Sequence, residues 1–304
     1  MKRIFASLGG NLLLLLTAFI WGVAFVAQKS GGEELGALTF NGVRSFIGCG
    51  ALLVAMPLLD RLGLSRRCAD TTQCRTLWTG GILCGLALFA ATNMQQLGLL
   101  YTTVGKGGFI TALYIVLVPL LGLFFRKPVS ALTWLGVGLA VVGLYLLCGQ
   151  GETGVNRGDL LLLVCALLFA GQIMLVSHFA PLVDGVRLSC IQFLVVGILN
   201  VPLMFVFEQP SLTAIGYNWM TLLYAGVLSS GVAYTLQIIA QRHTTPTTAS
   251  LLMSMESVFA VLAGWVLLGD MLSWAETVGC VLMFAAILLA QLPSPKRKES
   301  STYG

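Results

Sequence analysis

Long apolar stretches separated by short polar connections dominate the pattern of this 304-residue chain. A helix needs roughly 20 mainly apolar residues to cross a bilayer. Ten stretches meet this length and are numbered spans 1 to 10: 10–29, 36–59, 77–99, 103–125, 130–149, 158–178, 186–207, 217–240, 246–268 and 273–292. The pattern therefore predicts an all-α membrane protein with ten transmembrane helices.

Basic residues predict the orientation of these spans, because short cytoplasmic connections are enriched in Lys and Arg. With the N-terminus inside, the cytoplasmic side carries Lys2, Arg3, Arg61, Arg66, Arg67, Arg75, Arg126, Lys127, Arg187, Arg242, Lys296, Arg297 and Lys298. The opposite side carries only Lys29, Lys106 and Arg157. We expect both termini to be cytoplasmic in a multi-pass protein of a bacterial-type plasma (inner) membrane.

The composition agrees with a lipid environment. Hydrophobic residues make up 57% of the chain and charged residues 10%, whereas soluble domains carry about 25% charged residues. The net charge of +5 is spread over many connections, which argues against a nucleic-acid partner. The eight cysteines match no zinc-ligand spacing, so no metal and no cofactor is predicted.

The two halves of the chain resemble each other. Offsets of 141 to 143 residues relate Trp78 to Trp219, Gly85 to Gly226, Gln96 to Gln237, Thr103 to Thr245, Gly122 to Gly264 and Gly136 to Gly279. Chance similarity between apolar sequences is the alternative. Five spans is an odd number, so a second copy must enter the membrane inverted. We predict two inverted five-helix repeats, 8–149 and 157–292, followed by a cytoplasmic basic tail, 293–304. Such repeats are typical of secondary transporters.

A resemblance to a known family rests on two segments. The first runs from Asn93 through Gln96, Leu97, Gly98, Thr102 and Thr103 to Pro119, and the second comprises 250–260 and 267–270. They resemble EamA-type repeats, and nearly the whole chain is similar to the drug/metabolite transporter superfamily. The resemblance implies ten helices with termini inside, a central cavity lined mainly by spans 1, 3, 4, 6, 8 and 9, and transport of small metabolites.

Departures from the family pattern concern three positions. Family repeats often carry Pro after the midplane Glu, where this chain has Ser257. They often end the fourth helix with Glu, where this chain has Asp270 in the second half and Lys127 in the first. The departures leave the fold expectation intact and weaken any transfer of substrate identity.

Ionisable residues inside predicted spans point to a site, because a charge at the bilayer centre costs about 2.5–3.5 kcal/mol or more. Glu256 lies near the middle of span 9, and Tyr114, 142 residues earlier, lies near the middle of span 4. Glu256 either contacts substrate or a coupling proton, or only hydrogen-bonds a neighbouring helix. Arg44 in span 2 either snorkels outward or pairs with Glu33, Glu34 or an anionic substrate. Lys106, flanked by glycines, faces a substrate or a packed helix.

Three spans carry polar residues at helical spacing on one face. Span 8 has Ser230, Tyr234, Gln237 and Gln241, span 1 has Thr17, Trp21 and Gln28, and span 9 has Thr247, Ser250, Ser254 and Ser257. Hydrogen bonds between helices explain any one stripe, whereas three together favour a lined cavity. We also place Gln96 near the outer end of span 3 and Gln237 near the inner end of span 8, where each borders a gate.

The sequence therefore predicts a secondary transporter that moves a small metabolite, an amino acid or similar, by alternating access. Proton coupling through Glu256 is left open, and a non-transporting membrane receptor or assembly component is the alternative. P-loop, His-Glu-x-x-His and Gly-x-Ser-x-Gly motifs are absent from the sequence, so no enzyme is predicted. The expected partners are a small-molecule substrate and the lipid bilayer, with a homodimer left open. The predicted substrate pathway comprises Trp21, Gln28, Arg44, Asn93, Gln96, Lys106, Tyr114, Tyr234, Gln237, Gln241, Ser254 and Glu256.

Overall fold

The computed structural model describes residues 2–102, 104–124, 129–148, 156–268 and 273–291, and these residues contain helices and no β-strand. The elements are α1 Lys2–Leu35, α2 Ala37–Arg61, α3 Thr71–Leu99, α4 Val104–Ala112, α5 Tyr114–Phe124, α6 Ala131–Cys148, α7 Arg157–Phe179, α8 Gly185–Phe207, α9 Leu212–Tyr217, α10 Trp219–Leu223, a π-helical stretch Tyr224–Ala233, α11 Tyr234–Gln241, α12 Pro246–Met253, α13 Glu256–Leu268 and α14 Trp274–Gln291. The prediction of an all-α protein is confirmed.

Eight helical stretches in the described ranges are long and apolar enough to cross a membrane. They correspond to spans 1 to 4 and 6 to 9. The helices at spans 5 and 10 are apolar but shorter, at Ala131–Leu146 and Trp274–Leu289. The structure therefore identifies a multi-pass membrane protein, and the count of ten spans stays a prediction.

Helix packing places equivalent parts of the two halves against each other. The helix α2 packs on α8, α6 packs on α14, and α3 packs between α7 and α8. The helix α1 crosses α10, the π-helical stretch, α11, α12 and α13. Close approach requires glycine at several crossings. A Cβ on Gly22 of α1 would lie 2.7 Å from the carbonyl oxygen of Glu256. The first helix of the chain is therefore packed directly on the second half.

Two predicted spans are interrupted near their middles. Span 4 breaks at Leu113, between α4 and α5, and span 9 breaks at Ser254 and Met255, between α12 and α13. Hydrogen bonds of the tighter i to i−3 type occur at both breaks, from Leu113 N to Ile110 O at 3.2 Å and from Met255 N to Leu252 O at 3.3 Å. Each of these two spans therefore consists of two helical segments.

Span 8 contains a π-helical stretch, Tyr224–Ala233, that the apolar pattern did not predict. Its backbone accepts hydrogen bonds from α1. The indole Nε1 of Trp21 donates to Ser229 O at 3.3 Å, and Thr17 Oγ1 donates to Ala233 O at 3.2 Å. Stretches of π-helix occur frequently at functional sites. Here the stretch joins the polar face of α1 to the second half.

The polar connections gather at two opposite ends of the helix bundle. At one end, Asp184 caps α8 and accepts a hydrogen bond from Ser65 Oγ at 3.0 Å, while Arg187 pairs with Asp60 at 2.7 Å. At the other end, Glu208 accepts from the backbone N of Leu38 at 3.0 Å and of Thr39 at 2.8 Å. The first of these ends contains the loop that carries Arg61, Arg66 and Arg67.

The helix α1 continues to Leu35, beyond the predicted end of span 1 at residue 29. Lys29 pairs with Glu33 one turn later at 3.0 Å. Its Nζ also donates to the carbonyl oxygens of Leu99 at 2.7 Å and Thr102 at 3.3 Å. A cation is favourable at these positions because the carbonyls at a helix C-terminus have no intrahelical partner. Lys29 thus ties α1 to the end of α3.

Candidate functional site

A small cavity of about 30 Å³ lies where helices of both halves meet. This volume is enough for about one or two water molecules. Its lining combines aromatic, amide and ionisable side chains, namely Trp21, Phe25, Gln28, Arg44, Gln95, Thr111, Tyr114, Phe169, Gln172, Ile173, Ser229, Tyr234, Gln237, Met253 and Glu256. The polar faces predicted for spans 1 and 8 both reach this cavity.

The two helix breaks bring Tyr114 and Glu256 into contact. Tyr114 is the first residue of α5 and Glu256 the first residue of α13. The Tyr114 hydroxyl donates to Glu256 Oε1 at 3.0 Å, and the two residues are only 3% and 4% exposed. Interrupted helices expose backbone groups at membrane depth only where protein or a cavity surrounds them. The breaks therefore place a phenol and a carboxyl group from opposite halves in the cavity wall.

Arg44 supplies the cation of the cavity and is 4% exposed. Its guanidinium lies over the ring of Phe40, 5.5 Å from the centroid. The outward snorkelling considered above does not occur, because the residue is enclosed by packed helices. The proposed acidic partners are engaged elsewhere: Glu33 pairs with Lys29, and Glu34 accepts from Asn218 Nδ2 at 2.7 Å. Within the described ranges, no carboxylate oxygen lies within 4.0 Å of the Arg44 guanidinium.

Aromatic rings form another part of the wall. The rings of Trp21 and Tyr234 lie 4.5 Å apart, and the ring of Phe193 meets Tyr234 edge-on at 5.2 Å. These contacts hold α1, α8 and α11 together beside the cavity. Tyr and Trp can pack an apolar ligand group while keeping a polar atom available for a hydrogen bond.

A chain of amides leads from the cavity toward the end that carries Arg242. Gln237 Nε2 donates to Gln172 Oε1 at 3.3 Å, and Gln172 Nε2 donates to Gln192 Oε1 at 3.2 Å. Gln237 Oε1 and both amide atoms of Gln241 are buried without a hydrogen-bond partner among the described residues. Buried polar atoms without partners are costly, at about 1–3 kcal/mol each. They are the groups that water or a polar ligand would satisfy.

Amides also lie on the opposite side of the cavity. Gln96 Nε2 donates to the Gln28 backbone oxygen at 2.5 Å, and Asn41 Nδ2 donates to Asn93 Oδ1 at 2.8 Å. Gln28 Oε1, Gln96 Oε1 and Asn93 Nδ2 are buried without partners in the described part of the chain. A polar track therefore extends from the cavity toward each end of the molecule.

The predicted pathway residues fall into three groups. Those that line the cavity are Trp21, Gln28, Arg44, Tyr114, Tyr234, Gln237 and Glu256. Those buried outside its lining are Asn93, Gln96, Gln241 and Ser254, and Ser254 Oγ donates to Leu251 O at 2.8 Å. The side chain of Lys106 lies outside the described residues. Sequence reasoning missed Gln172, which lines the cavity and lies between Gln237 and Gln192 in the chain of amides.

Similarity to known proteins covers nearly the whole chain. A model of the EamA-like transporter family matches residues 8–149 and 156–292. A relative named "Uncharacterized transporter" from Archaeoglobus fulgidus is 32% identical over 96% of this chain and 87% of its own length. The Escherichia coli (strain K12) relative, "Uncharacterized inner membrane transporter YedA", is 27% identical over 89% of this chain and 87% of its own.

One solved crystal structure supports the fold. It matches with a TM-score of 0.76 over 93% of this chain and 98% of its own, at 19% sequence identity, and this similarity shows the fold alone. The family match extends over both halves of the chain, and the apolar helices are those of a multi-pass membrane protein. The resemblance found in the sequence is confirmed: the chain belongs to the EamA-like transporter family.

Proposed function

We propose that this chain is a secondary transporter for a small metabolite that carries both a carboxylate and an amine, an amino acid or a similar compound. The observation that carries the proposal is the composition of the cavity. One buried cation, Arg44, and one buried carboxyl group, Glu256, line the same small space without pairing with each other. A ligand of two opposite charges would satisfy both.

The recognition chemistry follows from these side chains. A guanidinium presents several N–H donors in one plane and binds a carboxylate through two parallel hydrogen bonds. The Glu256 carboxylate accepts from an ammonium group. The ring pair of Trp21 and Tyr234 offers an apolar surface for the remainder of the ligand. Glu256 has a second candidate role, since a carboxyl group that exchanges a proton with the ligand couples transport to protons.

A conformational change must accompany binding, because the cavity of about 30 Å³ is too small for an amino acid. We interpret the structure as a closed state. Two inverted repeats of five spans each would open the site alternately, and the two polar tracks would serve as the opposite access routes. The separate family matches to 8–149 and 156–292 support this repeat, as does the contact between the equivalent residues Tyr114 and Glu256.

The proposed orientation places both termini in the cytoplasm of a plasma (inner) membrane. The basic loop with Arg66 and Arg67 lies at the same end of the bundle as Arg187. This agrees with the orientation predicted from the basic residues, which assigns all three to the cytoplasmic side. Reporter fusions at Gly304 and beside Cys68 should both read cytoplasmic, and a fusion beside Glu152 should read external. An external reading at Gly304 would overturn the topology.

Binding and flux can be tested with the purified protein. A thermal-shift screen against amino acids and other metabolites identifies a ligand, and counterflow of that labelled ligand in proteoliposomes tests transport. We expect counterflow by the parental protein and slower counterflow in Glu256→Gln and Arg44→Gln. Arg75→Gln is the matched control, since Arg75 is exposed on α3 and does not line the cavity. Tight binding without counterflow would favour the receptor alternative.

A further inference from the structure

A groove of about 500 Å³ lies on the outside of the bundle, between α2, α3 and α8. Its walls are mainly apolar, from Leu53 on α2, Leu77 and Trp78 on α3, and Leu194 on α8. Leu53 is 56% exposed and Trp78 is 52% exposed. A groove of this size has room for far more than the water molecule that occupies about 30 Å³ in the liquid. On a surface that faces lipid, apolar atoms must fill it.

The groove ends beside a smaller, polar cavity of about 140 Å³. The lining of that cavity includes three arginines, Arg66, Arg67 and Arg242, and one acidic residue, Asp184. Asp184 is already occupied, since its carboxylate accepts from Ser65 Oγ at 3.0 Å and Arg66 N at 2.9 Å. The cavity therefore presents an excess of positive charge.

Arg67 lies at the junction of the two spaces and lines both. Its side chain is 88% exposed, and its Nε is 3.8 Å from Asp60 Oδ2. Asp60 makes its closer contact with Arg187, at 2.7 Å. The guanidinium of Arg67 is therefore held loosely and can bind an anion in the polar cavity. An amphipathic molecule could place its anionic group there and its chain in the groove.

We propose that an anionic phospholipid binds at this junction, with its phosphate on Arg67 and one acyl chain along Leu53, Trp78 and Leu194. The charge and the shape both select this occupant. Basic pockets beside membrane-spanning helices bind anionic headgroups, and Trp rings occur at the level of the headgroups. The lipid would contact α2 and α3 of the first half and α8 of the second, and would stabilise the packing between the halves.

Native mass spectrometry of the full-length protein, with palmitoyl-oleoyl phosphatidylglycerol or phosphatidylcholine added at equal concentration, tests the headgroup. We expect one phosphatidylglycerol to be retained per chain and phosphatidylcholine to bind more weakly. Arg67→Gln should weaken phosphatidylglycerol binding about tenfold, because a charge-assisted hydrogen bond is lost. Arg75→Gln removes the same charge from an exposed residue of α3 that lines neither the groove nor the polar cavity, and should leave binding unchanged.

A second pair of variants tests the acyl chain. Leu53→Trp narrows the groove and should reduce retention of phosphatidylglycerol, whereas Leu58→Trp, on the same helix but outside the groove lining, should not. Equal losses in Arg67→Gln and Arg75→Gln would overturn the proposal, since they would indicate general attraction to a basic surface. Release of the lipid by millimolar inorganic phosphate alone would also overturn it, because the site would then bind a soluble anion.

Discussion

The two halves of the chain hold different residues at two matching helix crossings. A Cβ on Gly85 of the first half would lie 3.0 Å from the carbonyl oxygen of Gln192. A Cβ on Gly226 of the second half would lie 3.0 Å from the carbonyl oxygen of Arg44. The same helix crossing is therefore built twice, with a cation at the crossing on α2 and a neutral amide at the crossing on α8.

At the helix crossings the charged residue belongs to the first half, whereas at the helix breaks the carboxyl group belongs to the second half. At equivalent positions, the first half carries the phenol of Tyr114 and the second half carries the carboxyl group of Glu256. The first half thus contributes Arg44, whose counterpart is an amide, and the second half contributes Glu256, whose counterpart is a phenol. The shared helix packing forms the scaffold, and the unlike residues place a guanidinium and a carboxyl group in the cavity wall.

The amide contacts are shared by both halves. Gln96 reaches Gln28 on one side of the cavity, and Gln237 reaches Gln172 on the other. The first contact is to a backbone oxygen at 2.5 Å and the second to a side-chain oxygen at 3.3 Å. In this structure the contact of the first half is therefore the shorter one.

The largest expected effect is on transport, and it distinguishes Glu256 from Tyr114, the two residues that begin the helices after the breaks. Glu256→Gln should reduce transport by between about tenfold and hundredfold, since a hydrogen bond to a charged group is worth about 1.5–3 kcal/mol. It should also flatten the dependence of transport on pH, because the ionisable proton is removed. Tyr114→Phe should reduce transport less. It removes only the hydrogen bond from the Tyr114 hydroxyl to Glu256, and a hydrogen bond between uncharged groups is worth about 0.5–1.5 kcal/mol. Initial rates of counterflow across a range of pH measure both. Parental rates in Glu256→Gln at every pH would make this carboxyl group structural.

A smaller effect concerns the cation. Arg44→Gln gives both halves an amide at the equivalent position, and should lower the affinity for a carboxylate-bearing substrate about tenfold. Competition by the matching amino alcohol, which lacks the carboxylate, provides the comparison. The parental protein should discriminate strongly between the two compounds and the variant only weakly. Undiminished discrimination in the variant would exclude Arg44 from carboxylate binding.

When ligand binds, the rate of thiol labelling at positions 96 and 237 should change severalfold, in opposite directions at the two positions. Gln96→Cys and Gln237→Cys, each introduced into a variant without the eight native cysteines, can be labelled with a membrane-impermeant thiol reagent. If each residue borders the gate on its own side, ligand should lower the labelling rate at one position and raise it at the other. Changes in the same direction at both positions would contradict alternating access about this pair.

The last expected effect is on the stability of the fold and should be equal in the two halves. Gly85→Ala and Gly226→Ala should each lower stability by about 1–3 kcal/mol, because a Cβ would clash with Val195 or Ile47 respectively. Gly171→Ala is the control, since no atom lies within 4 Å of its added Cβ. Thermal unfolding of the purified variants measures the difference. A marked drop for only one of the two glycine variants would show that the crossings are not energetically equivalent.

The sequence by itself determined the class of protein and much of the cavity wall. Long apolar runs fix helices in a membrane, because backbone groups in lipid must satisfy each other within the helix. The helical spacing of Trp21 and Gln28 on one helix and of Tyr234 and Gln237 on another placed each pair on a common face, and the structure joins those faces around one cavity. The family resemblance, read from two segments, extended correctly to both halves.

Only the tertiary structure decided where the helices break and which way the isolated polar residues point. Leu113 and Met255 are not residue types that interrupt helices, so they carry no signal for the breaks, where the structure has hydrogen bonds of the i to i−3 type. Arg44 could have faced lipid headgroups, an acidic side chain or the interior, and packing of α2 against α8 and the π-helical stretch enclosed it. The physical reason for the orientation of Arg44 is that lipid and protein interior are equally apolar, so hydrophobicity does not distinguish the buried face of a membrane helix from the exposed one.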